Sequence, residues 1–279
     1  MDIGKLFGDA WGLFTKDIGQ LIVGLLLAGI IAGALAAAVL MPAFLIALPG
    51  LSSASESGQE TGLSVVAVVA FVAGYVAAIV VIVLVAIPLY AGVLIGALRR
   101  VREGRRMGYW DLFDGFHVFG RVVGAYLLAY FLIPAVVVAL PSVIIALGAV
   151  SRSTPVVAVG VVVAALATLV LVYLVVCWTY VIVVVLDRGV PATDALRESR
   201  ALVHGTGWWW TFLAVFLLQL AVMVASLAAG FIPFVGMAVG VFTAPFSLTY
   251  LLAMYFQARR EDWMIDAAVA APDAQQQVR

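Results

Sequence analysis

Charged side chains are scarce in this sequence. Only 11% of its 279 residues are Asp, Glu, Lys or Arg, whereas 66% are hydrophobic. Soluble domains carry about 25% charged and about 45–50% apolar residues, because their surfaces must face water. The shortage of charge excludes a soluble globular enzyme, and the abundance of apolar residues excludes a disordered chain. The composition is that of an all-α polytopic membrane protein.

Residue types that carry chemistry are also few. The single cysteine, Cys177, excludes an intrachain disulfide and a cysteine-based zinc site, and its apolar neighbours predict a small buried side chain. The net formal charge is zero, which disfavours nucleic-acid binding. Sequence motifs of serine hydrolases, zinc proteases and phosphate-binding loops do not occur. We therefore expect no catalytic residues, no metal and no cofactor.

Five long stretches contain no charged residue, and the fifth is long enough for two helices separated by a turn at 230–233. Because a helix needs about 20 apolar residues to cross a membrane, these stretches predict six transmembrane helices in a single domain, 1–260. The predicted spans are 19–47, 64–97, 122–149, 156–186, 208–229 and 234–257. The tail, 261–279, is expected to be cytoplasmic and partly disordered. The spans contain no Asp, Glu, Lys or Arg, which argues against ion-coupled transport.

Basic residues are distributed unevenly along the chain. Of the 15 Lys and Arg residues, all except Arg152 lie in the N-terminal segment, around 99–121, around 188–200 or at 259–279. The positive-inside rule places these regions, and with them both termini, in the cytoplasm. Indole rings favour the headgroup level, and six tryptophans near the predicted inner boundaries are therefore expected to be interface anchors: Trp11, Trp110, Trp208, Trp209, Trp210 and Trp263.

Three amphipathic segments precede the three pairs of spans, at about 2–16, 109–121 and 193–205. Their apolar side chains recur at helical spacing, which predicts helices that lie in the cytoplasmic interface. The order of interfacial helix, span, outer turn and span occurs three times, and this predicts a threefold internal repeat. Gly92 and Gly96 lie one helical turn apart and permit close packing, either within the chain or between two copies.

Five arginines lie within eight residues at a predicted inner boundary. We call them the arginine cluster: Arg99, Arg100, Arg102, Arg105 and Arg106. Each arginine near an anionic surface contributes about 1 kcal/mol of attraction. The cluster either sets the topology alone or binds anionic lipids of the inner leaflet or an acidic protein partner.

Two parts of the sequence resemble a known family. The first has PLYAG at 88–92, the arginine cluster and DLFDGF at 111–116; the second has LDRG at 186–189, ALRES at 195–199 and AP at 244–245. These motifs look like those of bacterial six-span proteins grouped with the YciC-like family and the membrane domain of glycerophosphodiester phosphodiesterases. The resemblance implies an integral domain of the bacterial plasma membrane without an established activity. The catalytic barrel of the fused members has no counterpart here, so their activity is not expected.

Three hypotheses for function follow. The first is a non-enzymatic scaffold or accessory subunit whose cytoplasmic face binds anionic lipid, a protein partner or a second copy of the chain. The second is a transporter or channel component for a small or amphiphilic solute, because prolines interrupt several spans. The third is an enzyme that acts on lipid at the interface, and it rests on His117 and His204 with the nearby Asp111 and Asp114.

Overall fold

The chain folds into helices. The computed structural model describes residues 2–56, 65–230, 235–261 and 265, and it contains no β-strand within these ranges. The α-helices are α1 (Ile3–Glu56), α2 (Val65–Glu103), α3 (Phe119–Tyr126), α4 (Ile133–Val150), α5 (Thr154–Cys177), α6 (Val181–Arg188), α7 (Ala192–Thr206), α8 (Trp208–Gly230) and α9 (Val235–Ala258). A 3-10 segment, Tyr109–Val118, precedes α3, and a π-helical turn, Leu127–Leu132, joins α3 to α4.

Five helical stretches of the described chain are long and apolar enough to cross a membrane. They are Ile3–Pro42, Phe71–Glu103, Tyr109–Val150, Thr154–Arg188 and Trp208–Ala228. They coincide with the first five predicted spans, and they confirm that the chain is an all-α polytopic membrane protein. The sixth predicted span coincides with α9, which is not among the five, so a sixth crossing stays a prediction. Trp263 and nearly all of the predicted tail lie outside the described residues.

The long helices pack as successive pairs, and the first helix also packs against the last. Helix α1 contacts α2, α4 contacts α5, and α8 contacts α9, while α1 also contacts α9. At the α1–α9 contact the rings of Phe7 and Tyr250 lie 5.1 Å apart, and the side-chain amide of Gln257 donates to the carbonyl oxygen of Asp2 at 3.2 Å. The N-terminal end of α1 and the C-terminal half of α9 are therefore in direct contact.

Helical structure is present at all three predicted amphipathic positions. The first segment continues into the span of α1 through a kink at Asp17, whose backbone (φ −118°, ψ 20°) is not helical. The second is the 3-10 segment, and the third is α7. Helix α7 begins after Pro191 and ends at Gly207, which has a positive φ of 91°, in agreement with the usual helix start and stop signals.

The 3-10 segment lies in very close contact with α2. A Cβ atom on Gly92 would lie 2.0 Å from the carbonyl oxygen of Leu112, and one on Gly115 would lie 1.9 Å from the carbonyl oxygen of Pro88. Only glycine fits at such backbone-to-backbone distances. The Gly92/Gly96 pair thus packs within the chain, because Gly96 in turn faces the side chain of Met107.

The fourth predicted span, 156–186, is not one helix. A turn at 178–180 separates α5 from α6, and Ser199 of α7 stabilises it. The Ser199 hydroxyl accepts from the N–H of Tyr180 at 3.2 Å and donates to the carbonyl oxygen of Cys177 at 2.8 Å. Cys177 is buried, as predicted. The turn contains no glycine or proline, so no local signal in the sequence predicts it.

Substitution of Ser199 by alanine is expected to destabilise the protein. The hydroxyl is fully buried, and its loss leaves a buried N–H and a buried carbonyl without their partner. We expect the free energy of unfolding in detergent to fall by about 1–3 kcal/mol. Ser142→Ala is the matched control, because the Ser142 hydroxyl is exposed and bonds only to Val138 of its own helix. Equal stability of the two variants would contradict this role of Ser199.

Candidate functional site

Most charged side chains that the structure describes lie at one end of the bundle, which we call the charged end; Arg152, between α4 and α5, is not part of it. It comprises the amphipathic segments, the C-terminal ends of α2 and α6, and the residues that follow α9. Helices α2 and α6 both stop at a glycine in the left-handed conformation, Gly104 (φ 66°) and Gly189 (φ 65°), a common helix terminator. These stops place the arginine cluster beside the carboxylate of Asp187.

Asp187 is the centre of an ion-pair network at the charged end. Arg102 binds it with two nitrogens, Nε at 2.6 Å and Nη2 at 2.8 Å, and Arg259 donates to it at 2.7 Å. The Tyr255 hydroxyl donates to the same carboxylate at 2.6 Å. Only 2% of the Asp187 side chain is exposed, so its carboxylate is shielded from water and is held by charge-assisted hydrogen bonds, which are the stronger kind. They join α2, α6 and α9.

Aromatic rings and a second carboxylate complete this network. The guanidinium of Arg102 lies 5.6 Å from the ring centroid of Phe256, and that of Arg259 lies 5.6 Å from the ring of Tyr255. Burial lowers the pKa of Arg259, but the hydrogen bond to Tyr255 and the nearby carboxylates, including that of Glu261, raise it by more. The net effect is a pKa above the ordinary value, so Arg259 keeps its charge.

The other arginines of the cluster also bind carboxylates of the same chain. Arg99 contacts Asp111 at 3.2 Å and Asp114 at 2.5 Å. Arg105 contacts Asp111 at 2.6 Å. Asp111 in addition accepts the N–H of Gly108 at 2.7 Å, at the start of the 3-10 segment. These ion pairs hold the 3-10 segment against the C-terminal end of α2.

Arg100 forms its ion pair with α1 and not with this segment. Its Nε lies 3.3 Å from the carboxylate of Asp17, and both side chains are almost fully buried. The contact connects the kink of α1 to the end of α2. Four members of the arginine cluster are therefore paired with aspartates, and the fifth, Arg106, also interacts within the chain. Each guanidinium of the cluster thus already interacts within the chain. Binding of lipid or a partner by the cluster stays a prediction.

A cleft of about 480 Å³ opens at the charged end, between α2, the 3-10 segment and α6. This volume lies within the usual range of ligand-binding pockets. Its polar lining consists of Arg99, Arg102, Glu103, Asp114, His117 and Asp187, and its apolar lining consists of Ile95, Leu98, Val118 and Leu186. Polar and apolar walls thus face one cavity, which suits an amphiphilic molecule.

A second cavity, of about 400 Å³, lies farther from the charged end. It is almost entirely apolar, and its lining residues belong to α2, α3 and α6: Val83, Ala86, Ile87, Tyr90, Val122, Tyr126 and Ile182. Two backbone irregularities meet beside it, since Tyr130 of the π-helical turn donates a hydrogen bond to the carbonyl oxygen of Trp178 in the α5–α6 turn at 3.1 Å. π-helical turns occur frequently at functional sites.

The described tryptophans of the predicted set differ in exposure. Trp11, Trp110, Trp209 and Trp210 are more than half exposed. Trp208 instead stacks on Phe212, with ring centroids 5.3 Å apart. The role of these residues as interface anchors stays a prediction.

The histidines and aspartates of the enzyme hypothesis do not form one site. His117 lines the cleft, whereas His204 contacts the Tyr173 hydroxyl at 3.2 Å and the carbonyl oxygen of Arg200 at 2.8 Å. Asp111 and Asp114 already form ion pairs with arginines. Within the described ranges no group of three or more His, Cys, Asp or Glu side chains is arranged to hold a metal ion.

Sequence reasoning did not find Asp187, Tyr255 and Arg259 as a unit. In the sequence, Asp187 stands out only as part of the LDRG motif at 186–189 and as the first charged residue after the fourth predicted span. Its partners lie 68 and 72 positions away along the chain. A local sequence pattern does not indicate contacts between residues that lie so far apart along the chain.

Comparisons with family models, with curated proteins and with solved structures find no match to this chain. The resemblance to the YciC-like family stays a prediction, and the site must be interpreted from its own geometry.

Proposed function

We propose that the protein is a non-enzymatic scaffold or accessory subunit of a bacterial plasma membrane. In this proposal the chain crosses the membrane six times, the charged end and both termini face the cytoplasm, and the amphipathic segments lie in the interface as parts of a threefold repeat. The charged end binds anionic lipid headgroups or a protein partner.

The observation that carries this proposal is the construction of the charged end. Ion pairs join segments from the start, middle and end of the chain. They leave the guanidinium groups partly accessible, since half of the Arg105 side chain and a third of the Arg99 side chain remain exposed. A fixed array of partly exposed arginines presents donors that match phosphate oxygens. The exposed indole of Trp110 lies on the adjoining 3-10 segment, as expected for a side chain at the headgroup level.

Purification in mild detergent followed by native mass spectrometry tests this function. We expect the intact protein to retain anionic phospholipid or a protein partner. Arg105→Gln is expected to lower lipid retention about fivefold, the equivalent of about 1 kcal/mol for one arginine. Arg152→Gln, the same change at the predicted outer turn, is the matched control and leaves retention unchanged. Recovery of neither lipid nor protein from the unsubstituted chain would remove the basis of the proposal.

A second candidate is a transporter or channel component for an amphiphilic solute. It is supported by the apolar cavity beside the π-helical turn, and by Pro88 and Pro245 within α2 and α9. Proline in a transmembrane helix frees backbone groups and can shape a cavity. Uptake of a labelled solute by vesicles that contain the pure protein would favour this candidate over a scaffold.

A further inference from the structure

Another cavity, of about 260 Å³, lies beside the kink of α1 and shares no lining residue with the cleft. We call it the kink cavity. Its lining comes from α1, from the link that follows α2 and from the first residue of the 3-10 segment: Lys16, Asp17, Gly19, Gln20, Arg106 and Tyr109. Ligand pockets usually measure about 300–1,000 Å³, so this cavity has room for a small chemical group and not for a whole lipid.

Positive charge exceeds negative charge around the kink cavity. The positive charges of Lys16, Arg100 and Arg106 all act on the carboxylate of Asp17. Arg100 is the direct ion-pair partner of that carboxylate, at 3.3 Å, and both side chains are almost fully buried. The lining itself thus holds two cations, Lys16 and Arg106, and one carboxylate, which Arg100 already pairs. Such a charge balance favours an anionic group, and most of all one with more than a single negative charge.

Hydrogen-bond donors line the same cavity. An ammonium offers three N–H donors and a guanidinium offers five, so Lys16 and Arg106 can bind an anion in addition to their contacts within the chain. The side-chain amide of Gln20 and the hydroxyl of Tyr109 are two further donors in the lining. The planar guanidinium fork matches phosphate oxygens, and lysine binds phosphate as a point charge. The donor set is therefore suited to a phosphate group.

The kink cavity lies at the depth expected for headgroups. The uncharged run 18–55 begins directly after Asp17. From Lys16 to Gln20 helix α1 rises about 6 Å, which is close to the thickness of one headgroup layer, about 5–7 Å. Tyr109 and its neighbour Trp110 are 59% and 81% exposed, as aromatic side chains at a membrane interface are. A phosphate in this cavity can thus belong to a lipid whose acyl chains stay in the bilayer.

We propose that the kink cavity binds a phosphomonoester group, carried by a lipid of the leaflet at the charged end. A phosphomonoester carries about 1.5–2 negative charges near pH 7, whereas the phosphodiester of a phosphoglycerol headgroup carries one. Lys16 and Arg106 bind the phosphate oxygens, and each cation neutralises one charge. Gln20 and Tyr109 donate to the same group. This inference rests on the proposed binding of anionic lipid, and it names a lipid class and a site apart from the exposed Arg105.

Two lipids with identical acyl chains but different phosphates provide the test. The full-length protein in nanodiscs of phosphocholine lipid is offered phosphatidic acid, a phosphomonoester, and phosphatidylglycerol, a phosphodiester, in equal amounts. Retained lipid is counted by native mass spectrometry. We expect at least about fivefold more phosphatidic acid, the equivalent of about 1 kcal/mol for the second charge. Equal retention of the two lipids overturns the proposal.

A variant that fills the kink cavity locates the binding. A Cβ atom on Gly19 would meet nothing within 4 Å, so Gly19→Leu adds a side chain to the lining without a clash at its base. We expect it to reduce phosphatidic acid to the level of phosphatidylglycerol. Gly29→Leu is the matched control, because Gly29 also lies in α1, has equally open surroundings and does not line the cavity. Equal retention of phosphatidic acid by the two variants would contradict the proposal.

A charge variant distinguishes the site from general attraction by a basic surface. Lys16→Gln is expected to lower phosphatidic acid about fivefold and to leave phosphatidylglycerol nearly unchanged, since Arg106 suffices for one charge. Lys16→Arg is expected to retain the preference. Lys5→Gln is the matched control, because it is the same change on the same amphipathic segment, outside the cavity. A parallel decrease of both lipids in Lys16→Gln and Lys5→Gln would overturn the proposal.

A soluble phosphomonoester tests the carrier of the phosphate. We expect glycerol 3-phosphate at the concentration of the lipid not to displace phosphatidic acid, because it lacks the acyl chains that hold the lipid at the cavity. Displacement that is lost in Gly19→Leu would support the phosphomonoester site and overturn the lipid as its carrier.

The outcomes also separate this inference from the proposed function. Loss of phosphatidylglycerol in Arg105→Gln together with unchanged phosphatidic acid in Gly19→Leu would reject the kink cavity and leave lipid binding at the exposed arginines intact. Loss of phosphatidic acid in Gly19→Leu together with unchanged phosphatidylglycerol in Arg105→Gln would support the kink cavity and reject lipid binding at those arginines.

Discussion

Gly115→Ala is expected to be among the most destabilising single-methyl substitutions in the described chain. The added Cβ would lie 1.9 Å from the carbonyl oxygen of Pro88 and 2.7 Å from the backbone nitrogen of Gly92. Both obstacles are backbone atoms of α2, so no side chain can rotate away, and the 3-10 segment must move off the helix. We expect a loss of about 3 kcal/mol in unfolding free energy and a decrease of roughly 10 °C in Tm in detergent.

Gly120→Ala is the matched control for this prediction. Gly120 lies in α3, and a Cβ atom there would meet nothing within 4 Å. Alanine favours helix over glycine by up to about 1 kcal/mol, so this variant should be as stable as the unsubstituted chain or slightly more so. A difference of about 2 °C in Tm corresponds to roughly 0.5–1 kcal/mol in unfolding free energy. A Tm for Gly115→Ala within about 2 °C of that of Gly120→Ala would therefore show that the close contact is not made.

Asp187→Asn is the second substitution with a large expected effect. It keeps the shape of the side chain but removes the charge that two arginines share, and Arg259, whose side chain is only 18% exposed, then keeps the carboxylate of Glu261 at 3.0 Å in place of two carboxylates. Removal of one member of a buried ion pair costs about 3–5 kcal/mol. We expect a loss near the lower limit of this range, because a third of the Arg102 side chain stays exposed to water. Thermal unfolding followed by circular dichroism in detergent measures it.

Asp194→Asn provides the comparison at an exposed site. Asp194 pairs with Arg197 at 3.8 Å, and both side chains are more than half exposed, so the pair contributes little to stability. We expect no measurable change in Tm for this variant. If the two Asp→Asn variants unfold at the same temperature, the Asp187 network does not hold α2, α6 and α9 together.

The long helices were predictable from the sequence because their signal is local. The predicted span 122–149, for example, lies in an uncharged run between Arg121 and Arg152 that exceeds the length that a membrane requires. The amphipathic segments were found in the same way, from apolar residues at helical spacing. Even the close packing of Gly92 left a local trace, since glycines one turn apart are typical of close contacts between helices.

The turn at 178–180 and the Asp187 network could not be predicted in this way. The turn depends on a hydroxyl, that of Ser199, which belongs to another helix. The network depends on contacts between residues 85 positions apart, Arg102 and Asp187. A sequence read along its length records which residues are charged, but it does not record which charges neutralise one another. For that reason the sequence predicts the arginine cluster but not its ion pairs with aspartates, and binding of lipid or a partner by the cluster stays a prediction.

The contact between Asp2 and Gln257 sets the order in which the protein can be assembled. The partners are 255 positions apart, and at synthesis rates of about 5–20 residues per second roughly 13–50 s separate their emergence from the ribosome. The N-terminal segment is thus made first, whereas its contact with α9 can form only after α9 has been synthesised. Until then Phe7 lacks the ring of Tyr250 as its partner, and a chain that stops before α9 never forms the contact between α1 and α9.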